Sequence, residues 1–393
     1  MPDSISVLVD FSALLARVHD IGREVLALHA DSVDENGRFP GEALAAIKAE
    51  RLLSAYIPTA NGGMGLSVTQ IAKICEAMGH YCASTAMIFA MHQIQIACIV
   101  HHALGSDFFS EYARKISVNQ YLLASATTEL GIGGDVRSSI CAVQVEGNKF
   151  ILEKQTPVIS YGEQADAILV TCRKSEAAAR NDQVQVLVQK QDYTLKQLSG
   201  WDTLGFRGTC SNGFVLTSSG HVDQILSMPY AEIHSKSMHP FAHIVWGSLW
   251  LGLATDALNR ARTAVRAEAR KSPGITPISA VRLAEADIVL FSMRSGLQLV
   301  IADYDRLLAA GDLDAFSNFT FGIRINNLKI SCSQLVVDIV GRAMLICGIA
   351  GYRNDSKLSL GRHLRDAWGA CLMVNNDRIL GANATMQIGQ REG

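Results

Sequence analysis

The stretch Ala126-Thr127-Thr128-Glu129-Leu130-Gly131-Ile132-Gly133-Gly134-Asp135 follows an apolar run, Tyr121–Ala126, that reads as a strand. Its glycines, Gly131, Gly133 and Gly134, make a turn able to bring backbone N–H groups close to a phosphate. The pattern is not G-x-G-x-x-G, and no βαβ unit surrounds it. Alone, the turn reads as a hairpin more readily than as an anion cradle, so the flanking sequence has to decide.

On the N-terminal side the periodicity is helical. Phe11, Leu14, Leu15, Val18 and Ile21 follow i, i+3, i+4 spacing, and Leu44 with Ile47 begins a second such face. Ser67 is placed to cap a helix carrying Ile71, Ile74 and Met78. On the C-terminal side the period is two. Val143 and Val145, Phe150 and Leu152, and Val184, Val186 and Val188 alternate with polar residues, with Gly147-Asn148 as a turn. Ala167–Val170 and Gly213–Leu216 are further short apolar runs. From His239-Pro240 onward the pattern returns to helix, with Pro240 as a first-turn proline, patterns over 278–310, 318–348 and 371–390, and Gly351 as a stop. The fold class is therefore α+β, mainly α. Residues 1–120 form an N-terminal helical domain, 121–235 a middle β-barrel or sandwich domain, and 236–393 a C-terminal helical bundle.

Composition agrees with several buried cores. The 393 residues are prior evidence for two to three domains at roughly 100–200 residues each. Apolar residues make up 49% and charged residues 18%, against about 25% charged in an average domain. That excludes a disordered chain and suggests apolar surface buried between subunits. A net charge of −2 excludes a nucleic-acid binder. None of the nine cysteines shows C-x-x-C spacing, which argues against a zinc ribbon or redox dithiol and for free thiols in a reducing cytosol. The opening MPDSISVLVDFSALL lacks a basic segment, so no signal peptide is expected. His92, Gln93 and Gln95 interrupt the longest apolar run, so no membrane span is expected.

Single histidines carry two meanings. His92 lies on an apolar helix, where a satisfied core histidine competes with a catalytic one. His239 and His243 have the i, i+4 spacing of metal ligands, but no third ligand accompanies them, so no metal is expected. His101-His102 fits a helix surface or interface.

Taken together the segments resemble the acyl-CoA dehydrogenase superfamily over nearly the whole chain. Phe39-Pro40, Ile57-Pro58 and Gly62-Gly63-Met64-Gly65-Leu66 look like its opening. Thr127–Asp135 is similar to its flavin-binding T-E-P-G-x-G-S-D, Pro157–Asp166 to its second flavin segment and Gly205–Asn212 to its third signature. Arg270–Gly274 stands where R-x-x-F-G occurs, and Gly348–Tyr352 matches G-G-x-G-Y. Arg365-Asp366 and Thr385-Met386-Gln387-Ile388 match the C-terminal R-D and T-x-x-I/Q region. Each match is short; their order and spacing carry the resemblance.

The resemblance implies FAD between the β-domain and a C-terminal four-helix bundle. Thr128, Gly133, Gly134, Val158 and Ser160 would contact it, with Gly348, Thr385 and Gln387 at its far end. Arg270 would pair with the pyrophosphate of a neighbouring subunit's flavin, so a homo-oligomer, dimer or tetramer, is implied.

Departures from the family pattern bear on chemistry. The Glu base of Y-E-G-T is replaced by Asn383 in Ala382-Asn383-Ala384-Thr385, and an amide takes up no proton near neutral pH. The alternative Glu, early in the long helix, aligns with Ala242 beside His243. Val158 replaces a Trp or Phe, Gly134 a Ser, Leu345 a Gln and Ile349 a Gly. The expectation is a cytoplasmic flavin-dependent oxidoreductase, foremost an oxygenase acting on an acyl or aromatic thioester or related small molecule. It would be served by an external flavin reductase or electron-transfer partner, with catalytic candidates Asn383, His243 and His92. An acyl-CoA or acyl-carrier-protein dehydrogenase with His243 or His92 as base, and a non-catalytic assembly module, are the alternatives.

Overall fold

A computed structural model describes residues 9–389 apart from Ser272. Residues 1–8, which open the stretch weighed above as a signal peptide, and Ser272 of the Arg270–Gly274 segment lie outside it.

Asp10 caps α1 (Phe11–Ile21), accepting from the Ala13 N–H, and a π-helical turn at Gly22–Leu26 carries the chain into α2 (Ala27–Asn36). After α3 (Gly41–Ala49), α4 (Val68–Tyr81) begins with a full capping box between Ser67 and Gln70. α5 (Ala83–His102) and α6 (Asp107–Asn119) complete the N-terminal helices. Seven strands follow: β1 (Leu123–Ala126), β2 (Gln144–Glu146), β3 (Lys149–Thr156), β4 (Ala167–Arg173), β5 (Gln183–Gln189), β6 (Tyr193–Ser199) and β7 (Gly213–His221). They form two sheets, β1-β4-β5 and β2-β3-β7-β6. Then come α7 (Tyr230–Ile233), α8 (His239–Ala269), α9 (Ile278–Ala309), α10 (Phe319–Cys347), α11 (Ile349–Tyr352), α12 (Gly361–Leu372) and α13 (Asn376–Gly389).

The sequence reading differs from the structure at three places. First, helical structure precedes the opening of the long helix at His239-Pro240. α7 runs through a π-helical turn at His234–Met238 into α8, and the His239 N–H bonds the His234 carbonyl. The missing N–H of Pro240 falls where the register is already shifted, so the helix survives it. Second, α10 ends at Gly348 (φ +60°), while Gly351 lies inside α11. Third, β6 carries no clean alternation. It is the edge of its sheet, and a bulge between Gln197 and Ser199 puts Leu198 out of phase, 47% exposed.

α5 and α10 are long and apolar enough, by length and composition, to cross a membrane, which the interrupted run at His92 argued against. The side chains of α5 are buried inside the protein, the behaviour of a core helix. Two glycines join the N-terminal helices to the bundle. A Cβ on Gly79 of α4 would run into the Leu249 backbone of α8, and one on Gly252 into the Glu76 backbone. The two helices therefore cross backbone to backbone, which fixes where α8 presents its side chains.

Candidate active site

The Thr127–Ile140 excursion is pinned at both ends to one edge of β4. β1 pairs parallel to it as far as Ala126 and Val170, and the chain returns at Ala142, bridged parallel to Arg173. Lys154 fills the gap between those two pairings. Its ammonium donates to the carbonyls of Ala126 (2.9 Å), Thr127 (3.2 Å) and Thr171. Glu129 lies 3.8 Å from that ammonium and accepts from the N–H groups of Ile140 (3.1 Å) and Cys141 (2.5 Å). Both side chains are buried, and burial lowers the Lys154 pKa against the opposing pull of Glu129. Held this way, the excursion turns at Gly131 (φ +87°), Gly133 (φ +59°) and Gly134 (φ +79°), a run of left-handed backbone that side chains resist.

Two hydroxyl sites accompany these segments, one at Thr128 just before the turn and one at Ser160. The Thr128 hydroxyl donates to the Val158 carbonyl at 3.3 Å. The Ser160 hydroxyl is 2.8 Å from that of Ser211, itself 2.8 Å from that of Thr209. The Gly205–Asn212 segment holds Phe206 (φ +50°) and Cys210 (φ +45°) in left-handed backbone. The Phe206 N–H anchors the segment to α12 by donating to Asp366 at 2.6 Å, while burial pushes the Asp366 carboxyl up to about 6. Such backbone strain persists where the surroundings over-determine it.

The bundle contributes an imidazole ladder. His234 stacks on His239 (ring centroids 5.4 Å), His239 meets His243 edge-on (4.5 Å), and His243 meets Trp246 (5.7 Å). His239 Nε2–H donates to Asn326 at 2.8 Å, the Asn326 amide donates to Asn383 at 2.8 Å, and the Asn383 amide donates to Asn327 at 2.9 Å. Asn383 thus spends both ends of its amide on neighbours. His243 differs: it is buried, and neither ring nitrogen has a hydrogen-bond partner among the described residues. Burial first, then His239 and Lys329, hold its pKa well below the ordinary imidazole value. Lys329 is itself buried, donates to Val374 (2.8 Å) and Asn376 (2.7 Å), and has its pKa pushed down to about 8 by burial.

The turn, the ladder and α13 are neighbours. Arg378 of α13 donates to the Gly133 carbonyl, and its guanidinium lies against Gly134. Burial first, and the charge of Arg137 only as a lesser contribution, depress the pKa of both His234 and His239. The structure therefore brings Thr128, Gly133, Gly134 and Val158 into one region and links it, through Arg378 and Arg137, to the elements bearing Asn383 and His243.

Other sequence candidates lie elsewhere. His92 Nε2–H donates to the Leu53 carbonyl (2.7 Å), and its Nδ1 accepts from the Leu123 N–H (2.9 Å), so one nitrogen fastens α5 to the Leu52–Ser54 turn and the other to β1. Burial pushes its pKa down to about 4. Arg270 is exposed at the end of α8, and Gly348, Thr385 and Gln387 are exposed on α10 and α13. The His101-His102 pair brackets one buried hydroxyl, Ser237, at 2.7 Å from each. Sequence reasoning missed Lys154, Asn326 and Lys329. Their signal was present: Lys154 occupies an inward position after Phe150 and Leu152, and Asn326 and Lys329 interrupt the core face of a long apolar helix.

Flavin ring edges and phosphates call for backbone donors, hydroxyls and cations around an apolar slot, and this donor set fits them. Two family models match the chain. Acyl-CoA dehydrogenase, N-terminal domain, covers residues 10–107, and acyl-CoA dehydrogenase, C-terminal domain, covers residues 241–371, together more than half of the chain. The cyclohex-1-ene-1-carbonyl-CoA dehydrogenase of Syntrophus aciditrophicus is 23% identical over 367 residues, 90% of this chain and 84% of that protein. Dibenzothiophene monooxygenase (TdsC) from Paenibacillus sp. A11-2 superimposes with a TM-score of 0.79 at 18% identity, covering 97% of this chain and 98% of the other. Butyryl-CoA dehydrogenase from Megasphaera elsdenii gives 0.79 at 17% identity, covering 97% and 99%.

Proposed function

The chain belongs to the acyl-CoA dehydrogenase family and is a flavin-dependent oxidoreductase, and from that premise we propose that it binds FAD and acts as an oxygenase on a small acyl or aromatic molecule. The observation that carries the reading is the hydrogen bonding of Asn383, the residue that the sequence resemblance aligns with the family's glutamate base. Its amide is committed to Asn326 and Asn327, so it neither takes up a proton nor turns to a substrate. An oxygenase needs no base at that position. A fold shared with dibenzothiophene monooxygenase (TdsC) is compatible with the same chemistry.

Bound between the β-domain and the bundle, the flavin supplies the redox chemistry: hydride acceptance in a dehydrogenase, O2 activation after reduction in an oxygenase. The chain's own residues do the rest. Backbone N–H groups of the Gly131–Gly134 turn would hold the phosphates, Thr128 and Ser160 would offer hydroxyls to the ring's polar edge, and Val158 would pack against the ring. The neutral, buried imidazole of His243, with both ring nitrogens unpartnered among the described residues, would be the group able to hold or deliver a proton to a substrate that reached it. Arg270 would pair with the pyrophosphate of a neighbouring subunit's cofactor, and Gly348, Thr385 and Gln387 would be further cofactor contacts.

A second reading is an acyl-CoA dehydrogenase in which His243 is the base; its unpartnered ring nitrogens and the cyclohex-1-ene-1-carbonyl-CoA dehydrogenase relative favour it. Anaerobic mixing of the FAD-loaded protein with an acyl-CoA panel separates the two. An unbleached flavin, with turnover only after external reduction and O2, supports the oxygenase. Bleaching by substrate alone supports the dehydrogenase.

A further inference from the structure

The excursion that carries the glycine turn returns to β4 at a pair of cysteines that no sequence spacing announced. Ala142 bridges Arg173 in parallel register, with the Arg173 N–H donating to the Cys141 carbonyl (2.8 Å) and the Val143 N–H to the Arg173 carbonyl (3.0 Å). One step back along both strands, Cys141 and Cys172 are register neighbours on the same face, and the Cys141 thiol comes no closer than 4.0 Å to the Ala142 carbonyl. Adjacent strands lie about 4.8 Å apart, inside the roughly 4.4–6.8 Å Cα separation that a disulfide spans.

The surroundings favour a reactive thiol over an inert one. The neighbouring Cys172 thiol first, and then the buried Lys154 ammonium, favour the Cys141 thiolate against the opposing effect of burial and bring its pKa below the ordinary thiol value. Ile140 and Ala142, on either side of Cys141, line a surface groove of about 250 Å³ with Ile151 and Arg173, on the face away from Cys141, so a small oxidant reaches the thiol only through the part of Cys141 left exposed. Cys141 is 8% exposed, while Cys172 is fully buried. The Cys141 N–H is also one of the two donors by which Glu129 holds the end of the excursion.

We propose that Cys141 and Cys172 form a redox-active dithiol that hydrogen peroxide converts to a disulfide, tightening the root of the glycine turn and changing its hold on flavin. The Cys141 thiolate attacks one peroxide oxygen; the O–O bond breaks, and the departing hydroxide leaves as water after taking up a proton. The resulting sulfenic acid is attacked by the Cys172 sulfur, the S–S bond forms, and the second hydroxyl leaves as water with the Cys172 proton. Two thiols are oxidised and one peroxide is reduced. Closing the S–S bond draws Cys141 toward β4 and away from Glu129, so the turn shifts. The flavin part rests on the cofactor placement proposed above.

The experiment treats the full-length flavin-loaded protein with hydrogen peroxide, counts free thiols, and maps the linkage by non-reducing peptide mass spectrometry. The expected result is a fall from nine free thiols to seven, with Cys141 joined to Cys172 and reversal by dithiothreitol. Flavin retention on a desalting column falls with oxidation, returns on reduction, and does not respond in Cys141→Ser or Cys172→Ser. Absence of the Cys141–Cys172 linkage in the wild type overturns the dithiol whatever binds at the turn. Linkage with unchanged flavin retention overturns the coupling.

Discussion

Glu129 and Lys154 form an ion pair out of reach of water, 3.8 Å apart, at the point where the chain leaves β4 and returns to it. Replacing one partner leaves the other charge buried and uncompensated, which costs about 3–5 kcal/mol. Lys154→Met should therefore lower the denaturation midpoint sharply and reduce flavin occupancy, because the loop it pins carries the glycine turn. The double variant Glu129→Gln/Lys154→Met should be milder than Lys154→Met alone. Equilibrium unfolding in urea measures both; a wild-type midpoint in Lys154→Met would mean the pair pins nothing.

His92 is expected to act on stability and not on chemistry. Both of its nitrogens are spent on the backbone of Leu53 and Leu123. His92→Ala forfeits hydrogen bonds worth about 0.5–1.5 kcal/mol each and leaves buried backbone groups unpaired at about 1–3 kcal/mol. The folded variant, assayed well below its melting temperature, should keep a near-normal turnover rate. A loss of turnover by orders of magnitude with unchanged stability would restore His92 to the catalytic candidates.

Stability should decline on acidification between pH 6.5 and about 4. Burial holds His92 and His101 down to about 4 and His243 well below its ordinary value of 6.5, so in this window the unfolded chain binds protons that the folded chain refuses. Stability is then complete above 6.5 and falls as pH drops, by about 3 kcal/mol for His92 alone. Asp366, raised to about 6, works in the opposite sense, adding stability as pH falls through 6, but it is one group against several. Thermal melts across this range should show the decline, and His92→Gln should flatten part of it.

The bundle leaves large apolar side chains in water: Leu345, Ile349, Tyr352, Trp368 and Leu372 are 50–74% exposed. Singly such residues are ordinary, but this many on adjoining helices mark an interface. A homo-oligomer should appear in light scattering at micromolar concentration. Leu345→Glu should shift it toward monomer and weaken flavin binding, if Arg270 serves a neighbour's cofactor. A flavin-saturated monomer would refute the shared site.

The helix–strand–helix order was legible because burial on one face writes its period into the chain, as in Phe150, Leu152 and the strands around them. β6 was not, because an edge strand with a bulge buries little and keeps no phase. The opening of α8 at His239-Pro240 was legible because Pro240 is an ordinary helix-start signal, but nothing local announces the π-turn that joins it to α7. The amide chain of Asn383 through Asn326 and Asn327 was not legible, because it joins residues 56 and 57 apart, and tertiary pairing of that kind leaves no spacing to read.

Asn383→Glu should create or raise α,β-dehydrogenation of a simple acyl-CoA. The Asn326 amide already donates to position 383, so an incoming carboxylate inherits that donor. The exposed Asn327 can rotate its amide from accepting to donating. Burial should raise the new carboxyl's pKa toward neutrality, which suits a base, and general-base catalysis is worth roughly 10²–10⁴-fold. The same charge should harm an oxygenase by disturbing the substrate side of the flavin site. If His243 already serves as base, the wild type alone turns over the thioester and Asn383→Glu adds little. Enoyl product from the wild type, with an artificial acceptor and no O2, would refute the oxygenase, and its loss in a folded His243→Asn variant would then identify the imidazole as the base.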